Sequence, residues 1–311
     1  MKHFITAAVM AAMCAVGQAR ETITIIYGWS LGDSIANYHR TLAAEANRIQ
    51  DRWTFVVDAR PGAGGSIAAN HVLATPKTIL GHSTAFFLRP NLYPNESHDI
   101  RQFREQFVHC SSPIAISSTR YRNWSELPKD TTATVGVAGL GIITHMASLQ
   151  MKNLYPNITI VPFKSTNESM LSMISGNTDF HIGFISEAEQ WTKSDQIRDG
   201  RRVTILGISG TRVVNGYQPL VKQGFPDTFA SLNIIHHLLV PARSDDATTR
   251  EWYDIFARAA QAPSVRAAYG IDYCEPQTMR WEELPRFFAF HTDFWRRLSA
   301  GVRLENTSPT K

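Results

Sequence analysis

The sequence predicts an α/β protein of two lobes joined by two crossing segments. Strand-like and helix-like patterns alternate along it, glycine-rich corners join strand to helix at three places, and an apolar stretch at 233–241 leads the chain back toward its first half. The first half is organised around the corner Asp58-Ala59-Arg60-Pro61-Gly62-Ala63-Gly64-Gly65-Ser66, which an apolar run at 53–57 enters and a small-residue helix pattern at 66–74 leaves. Pro61 fixes one backbone angle, and the glycines permit positive φ and close approach of another backbone. One such corner serves packing as readily as ligand binding. Together with Tyr27-Gly28-Trp29-Ser30-Leu31-Gly32-Asp33 and Val137-Ala138-Gly139-Leu140-Gly141-Ile142-Ile143-Thr144-His145, it outlines a cleft. In sheets of this kind ligands lie beyond the carboxyl ends of the strands, where these loops stand.

Residues 1–19 are set aside from the fold. Lys2 and His3 precede an apolar stretch at 4–16 too short to span a bilayer, and Gly17-Gln18-Ala19 fits a secretory signal cleaved after Ala19. Met13 stands where a lipoprotein anchor at Cys14 needs a small residue. Residues 21–27 alternate and then turn apolar, a strand that ends at the first glycine loop. Ile35, Tyr38, Leu42, Ala43 and Ala46 then mark a helix over 34–50, capped by Asp33 or Ser34. A strand at 54–57, a helix to 73 and a strand at 78–81 follow, with Ser83 and Thr84 at its end. Residues 90–130 read as polar and aromatic, except for a β-like run at 112–118 taken as the crossing strand, and 86–94 do not read as a helix.

The second lobe begins with a helical turn at 124–128 and a strand at 132–137, followed by the third glycine loop and a helix at 144–154. A strand at 158–163, a helix at 167–174, a strand at 179–185 and the return strand at 233–241 come next. Helices at 250–260, 263–269 and 282–299 close the chain. Residues 20–118 with 241–311 are thereby assigned to lobe 1 and 119–240 to lobe 2.

A chain of 311 residues, 43% hydrophobic and 19% charged, is globular and long enough for two such lobes. Its net charge of +4 comes from scattered residues with no basic stripe interleaved with aromatics, which argues against nucleic acid and suits a small anionic ligand. After the signal two cysteines remain, Cys110 and Cys274. An oxidising compartment permits one disulfide, and two buried free thiols satisfy the sequence equally. His236 and His237 are adjacent and point opposite ways on a strand, and no metal-ligand spacing occurs.

These motifs resemble the periplasmic substrate-binding proteins of tripartite tricarboxylate transporters, the TctC-like Bug receptors. The resemblance is carried by Ala59-Arg60-Pro61-Gly62-Ala63-Gly64-Gly65, by the Gly139 loop ending in His145, and by Val161-Pro162-Phe163-Lys164-Ser165 with Gly176-Asn177-Thr178-Asp179. Gln223-Gly224-Phe225-Pro226-Asp227 and Ala262-Pro263-Ser264-Val265-Arg266 extend it through the chain. It implies a type II periplasmic-binding clamshell with two crossing hinge segments. The implied protein is a periplasmic monomer that hands a dicarboxylate, amino acid or aromatic carboxylate to integral-membrane transporter subunits, without cofactor, metal or catalysis. Carried over by position, the ligand contacts are Gly28, Trp29, Ser30, Leu31, Gly32, Asp33, Ser83 and Thr84 in lobe 1. In lobe 2 they are Ala138, Gly139, Leu140, Gly141, Ile142, Ile143, His145, Thr166 and Asp179.

Asp33 departs from the family's glycine: it either pairs with a ligand ammonium or only caps the helix. Trp29 either stacks on an aromatic carboxylate or serves as a lid or core residue, and His145 either touches ligand or fixes its loop. Three other functions compete. Gly81-His82-Ser83-Thr84-Ala85, with Asp179 and His237 downstream, approximates a serine hydrolase elbow lacking its last glycine. Gly139-Leu140-Gly141 is a dinucleotide loop lacking its third glycine. A receptor serving signalling needs the same clamshell as one serving uptake.

Overall fold

A computed structural model describes residues 20–32, 34–95, 97–193, 201–300 and 302. The signal segment and Asp33 lie outside the described residues. The strands are β1 (Glu21–Tyr27), β2 (Trp53–Ala59), β3 (Thr78–Ser83), β4 (Phe103–Ser118), β5 (Thr134–Val137), β6 (Thr159–Pro162), β7 (Phe180–Phe184), β8 (Thr204–Ile208), β9 (Asn233–Pro241) and β10 (Glu275–Pro276). The helices are α1 (Ser34–Arg48), α2 (Ser66–Ala74), α3 (Ala85–Leu92), α4 (Ile143–Leu154), α5 (Thr166–Ile174), α6 (Ile185–Thr192), α7 (Asp246–Ala259), α8 (Pro263–Gly270) and α9 (Leu284–Leu298). No helix among the described residues is long and apolar enough to cross a membrane.

The strands order as β2-β1-β3-β9-β4-β7-β5-β6, with β8 and β10 also pairing β4. β1 runs parallel to β2 and β3, and β5 parallel to β6 and β7, as strand–helix–strand crossovers require. β4 belongs to both halves of the sheet. Its first part pairs β9 from Phe103↔Pro241 to Pro113↔Asn233, and its last five residues pair β7 from Ile114↔Phe184 to Ser118↔Phe180. The two half-sheets therefore meet between Pro113 and Ile114 of β4, and β9 pairs only within the first.

β4 has 16 residues, whereas the sequence pattern predicts a strand only at 112–118. The earlier part is polar in sequence and buried in fact. Glu105 accepts from His237 Nδ1 at 2.9 Å, Gln106 Nε2 donates to the Thr249 carbonyl at 2.8 Å, and His109 contacts both His39 and the Tyr269 hydroxyl. Each of these buried side chains has at least one partner on a packed element, which lets a strand form where composition suggests a loop.

A second departure is α3, in a stretch that does not read as helical. Pro90 removes the N–H that would bond the Phe86 carbonyl. His98 Nε2 donates to that carbonyl instead, at 3.0 Å, while its Nδ1 accepts from Ser66 at 3.1 Å. Burial of Phe86, Phe87 and Leu88 stabilises the turn, roughly 1.5–3 kcal/mol for each large side chain.

The first half-sheet is flanked by α1, which packs on β2, α7 and α8. Its predicted apolar positions Tyr38, Leu42 and Ala46 are fully buried, as are Phe55 and Phe256 opposite them to within 2%. Cys110 of β4 and Cys274 form a disulfide closing 164 residues of chain. That bond anchors a turn of the first half that reaches the second. Asp272 accepts from Tyr38 and from Ser186 at 2.5 Å each, the Tyr273 hydroxyl donates to Glu189 at 2.6 Å, and Glu275 pairs with Arg212.

The interlobe cleft as candidate ligand site

A cavity of about 510 Å³ lies between the half-sheets. Five helix starts point into it, because each parallel strand delivers its chain to a helix at the same edge of the sheet. The lining residues mark them: Ile35 of α1, Thr84 and Ala85 at α3, Ile143 and Thr144 at α4, Ser165 and Thr166 at α5, and Phe184 and Glu187 at α6. Tyr27, Trp29, Ser30, Ser83, Ala138, Ile142, Lys164 and Ile234 complete the wall.

Of the predicted contacts, Trp29, Ser30, Ser83, Thr84, Ala138, Ile142, Ile143 and Thr166 line this cavity. Trp29 stands edge-on to His82 at 4.7 Å and against Tyr27 at 5.5 Å, so it is both wall and packing residue. Gly28 lies behind the wall: a Cβ there would come within 2.8 Å of the Gly65 Cα, so the first and second glycine corners touch each other. Gly65, at φ 89°, cannot carry a side chain, since its Cβ would fall 2.1 Å from His82 Nε2. The Arg-Pro-Gly corner thus shapes the cleft from one layer back. Leu31 and Gly32 lie outside the cavity lining. The Leu31 carbonyl accepts from Arg40 at 2.7 Å and the Gly32 N–H donates to Ser30 Oγ at 3.3 Å.

In the third corner Gly139 and Gly141 take φ of 92° and 76°, and neither they nor Leu140 line the cavity. His145 fixes the loop: its Nδ1 accepts from the Gly141 N–H at 3.3 Å, and burial lowers its pKa to about 4. Asp179 is a correction. It precedes β7, at the amino ends of β5 and β7 and opposite the cleft, where it accepts from Arg120 at 2.8 Å and from the Thr134 N–H at 2.8 Å. These partners hold its carboxyl below the usual range in spite of burial.

Thr84 commits its hydroxyl to β9, donating to the Asn233 carbonyl at 3.1 Å and accepting from the Ile235 N–H at 2.7 Å. The hydrolase elbow gains the strand-turn-helix it lacked in sequence, since α3 follows Ser83. The remainder does not assemble as read: Asp179 lies at the far edge, and His237 Nε2 contacts the Ser83 carbonyl at 3.2 Å while its Nδ1 faces Glu105.

The sequence reading did not assign Thr144, Lys164 or Glu187 to the ligand site. Thr144 is 2% exposed, and its hydroxyl has no hydrogen-bond partner among the described residues. It sits on the first turn of α4, which Ile142 leaves without a side-chain cap. Its signal was its position beside Ile143. Glu187 accepts from the Thr166 hydroxyl at 2.5 Å and from the Phe184 N–H at 3.0 Å. It was missed because the apolar run through Ile185 reads as continuous strand, whereas the chain turns into α6 after Phe184.

The two half-sheets, the strand β4 that they share and the cleft define a two-lobed periplasmic-binding fold. Solved structures that share it include TctC- and Bug-type solute-binding proteins. A TctC solute-binding protein from Polaromonas superposes with a TM-score of 0.72 at 16% identity, covering 91% of this chain and 99% of that one. BugD gives 0.73 at 19%, covering 90% and 97%. MatC from Rhodopseudomonas palustris with bound malate gives 0.70 at 17%, covering 89% and 98%. No protein-family model and no curated protein sequence matches the chain.

Proposed function

We propose that the protein is an exported solute receptor of the TctC/Bug type, which captures a small carboxylate between its lobes and presents it to membrane transporter subunits. The observation that carries this reading is Thr144: a residue with a buried, unpartnered hydroxyl, on an uncapped helix start, in the lining of an interlobe cavity to which Lys164 also contributes. A carboxylate there accepts from the hydroxyl, from first-turn N–H groups and from the ammonium, and it lies at the positive end of the α4 dipole. The MatC structure holds malate and another structure of the same fold holds adipate, which supports a carboxylate as the class of ligand. Of the predicted contacts, the eight that line the cavity are proposed to meet the ligand, while Gly28, Gly139, Gly141 and His145 shape the loops. Asp33, outside the described residues, keeps its two alternatives.

Residues 20–311 are screened by thermal shift against mono- and dicarboxylates, aromatic carboxylates and amino acids. A ligand at a hundred times its Kd adds about 2.7 kcal/mol of stability, a rise of a few degrees. Thr144→Val is expected to abolish the rise while preserving the unliganded melting point. No rise with any of them, accompanied by fluorophosphonate labelling of Ser83, would replace the receptor with a hydrolase.

A further inference from the structure

Among the described residues, the charged groups lining the cavity are one cation and one anion, Lys164 and Glu187, both on the second wall. Lys164 precedes α5 and shares the cavity with the unpartnered Thr144 hydroxyl. Glu187 stands one turn into α6 with its side chain 25% exposed. The Thr166 hydroxyl and the Phe184 N–H hold one oxygen each, and each oxygen keeps a lone pair for a further donor. The remaining wall is largely apolar, with Trp29, Ile35, Ile142, Phe184 and Ile234 facing the same space.

We infer that the ligand is an α-amino acid with an apolar side chain. Its carboxylate lies on Thr144, the start of α4 and Lys164, its ammonium on Glu187, and its side chain against Trp29 and Phe184. This rests on the receptor reading above and narrows it. A short dicarboxylate would bring a second anion into a lining that holds one cation and already has a carboxylate of its own, a like-charge contact. A plain monocarboxylate would leave Glu187 facing an apolar ligand as the lobes close, removed from water with no cation beside it and no donor beyond the Thr166 hydroxyl and the Phe184 N–H. A zwitterion satisfies both ends, and a cavity of about 510 Å³ leaves room for an aliphatic or aromatic side chain.

The test is calorimetric titration of residues 20–311 with L-leucine and L-phenylalanine, with phenylpropanoate as the acid lacking the amino group, and with malate and adipate. The amino acids are expected to bind at least tenfold tighter than phenylpropanoate and the dicarboxylates. Glu187→Gln is expected to weaken L-phenylalanine at least tenfold and to leave phenylpropanoate unchanged or tighter, which also shows that the variant is folded. Should that variant fail to fold, the wild-type ratio of L-phenylalanine to phenylpropanoate decides alone. Malate, adipate or phenylpropanoate binding as tightly as the amino acids, or a Glu187→Gln variant that keeps the wild-type preference, overturns the inference and leaves the carboxylate receptor standing. No binding by any of the five compounds overturns both.

Discussion

In the first half of the molecule Ser30 and Ser83 line the cleft, and other polar groups beside it are turned inward: the Thr84 hydroxyl to β9, the Ser83 carbonyl to His237, and His39 to His109 beneath Tyr27. In the second half Thr144, with its unpartnered hydroxyl, and the charged residues Lys164 and Glu187 belong to the cavity lining. Both walls are strand ends turning into helix starts, so the plan is common and the chemistry is not. The first wall is packed against buried histidines, and the second is the one proposed to read charge. One lobe can thus change its lining without disturbing the packing of the other.

Acid gives the largest test of that contrast. Burial holds His39 and His236 at about 3, His98 and His145 at about 4, and His82 and His109 well below the ordinary histidine range. Of these only His145 belongs to the second half. Because the folded values are depressed, their contribution is fully present above about pH 6.5. It is lost as the pH falls from there toward the folded values, at roughly 1 kcal/mol per pH unit for each histidine. Urea midpoints at pH 7, 5.5 and 4.5 are expected to collapse over this range, with Trp252 emission in the first half changing before Trp124 emission in the second. Simultaneous loss of both signals would break the distinction between the halves.

Next in size is the disulfide. Cys110→Ser with Cys274→Ser should cost roughly 2–5 kcal/mol in urea unfolding. A loss below 1 kcal/mol would mean that the 272–275 turn needs no covalent anchor. Gly65→Ala follows: the backbone at φ 89° and the His82 ring behind it predict a cost of about 2–3 kcal/mol. An unaltered midpoint would show that the first wall is softer than its packing suggests. The smallest effect on stability belongs to Lys164→Met, because the side chain is exposed. Its melting point is expected to stay within a degree of wild type while carboxylate affinity falls roughly tenfold. Equal affinity would remove charge reading from the second wall.

The frame was legible wherever a residue's chemistry and its environment agree. β9 was predicted at 233–241 and found there, because its apolar run is buried throughout. The three corners were legible because their glycines mark backbone that other residues avoid. The first nine residues of β4 were hidden because Arg104, Glu105, Gln106 and His109 are polar and find partners only through elements far along the chain. At the cleft, sequence located the loops but not the polar groups proposed to hold the ligand. Thr144 is one residue along from a named position, and Glu187 appears only when the strand before it is seen to end at Phe184. Asp179 was misplaced for the converse reason: a loop aspartate after a glycine looks the same in sequence at either end of a strand.

β9 has a kinetic consequence. It sits between β3 and β4, yet it begins 150 residues after β3 ends. Until it arrives, both neighbours carry unpaired edges, and the first half cannot close although most of its sequence comes earliest. Pairing at such separation is intrinsically slow. Pulse-labelled hydrogen exchange during refolding is therefore expected to protect β5–β7 before β3 and β4, so that the lobe begun first is the one completed last.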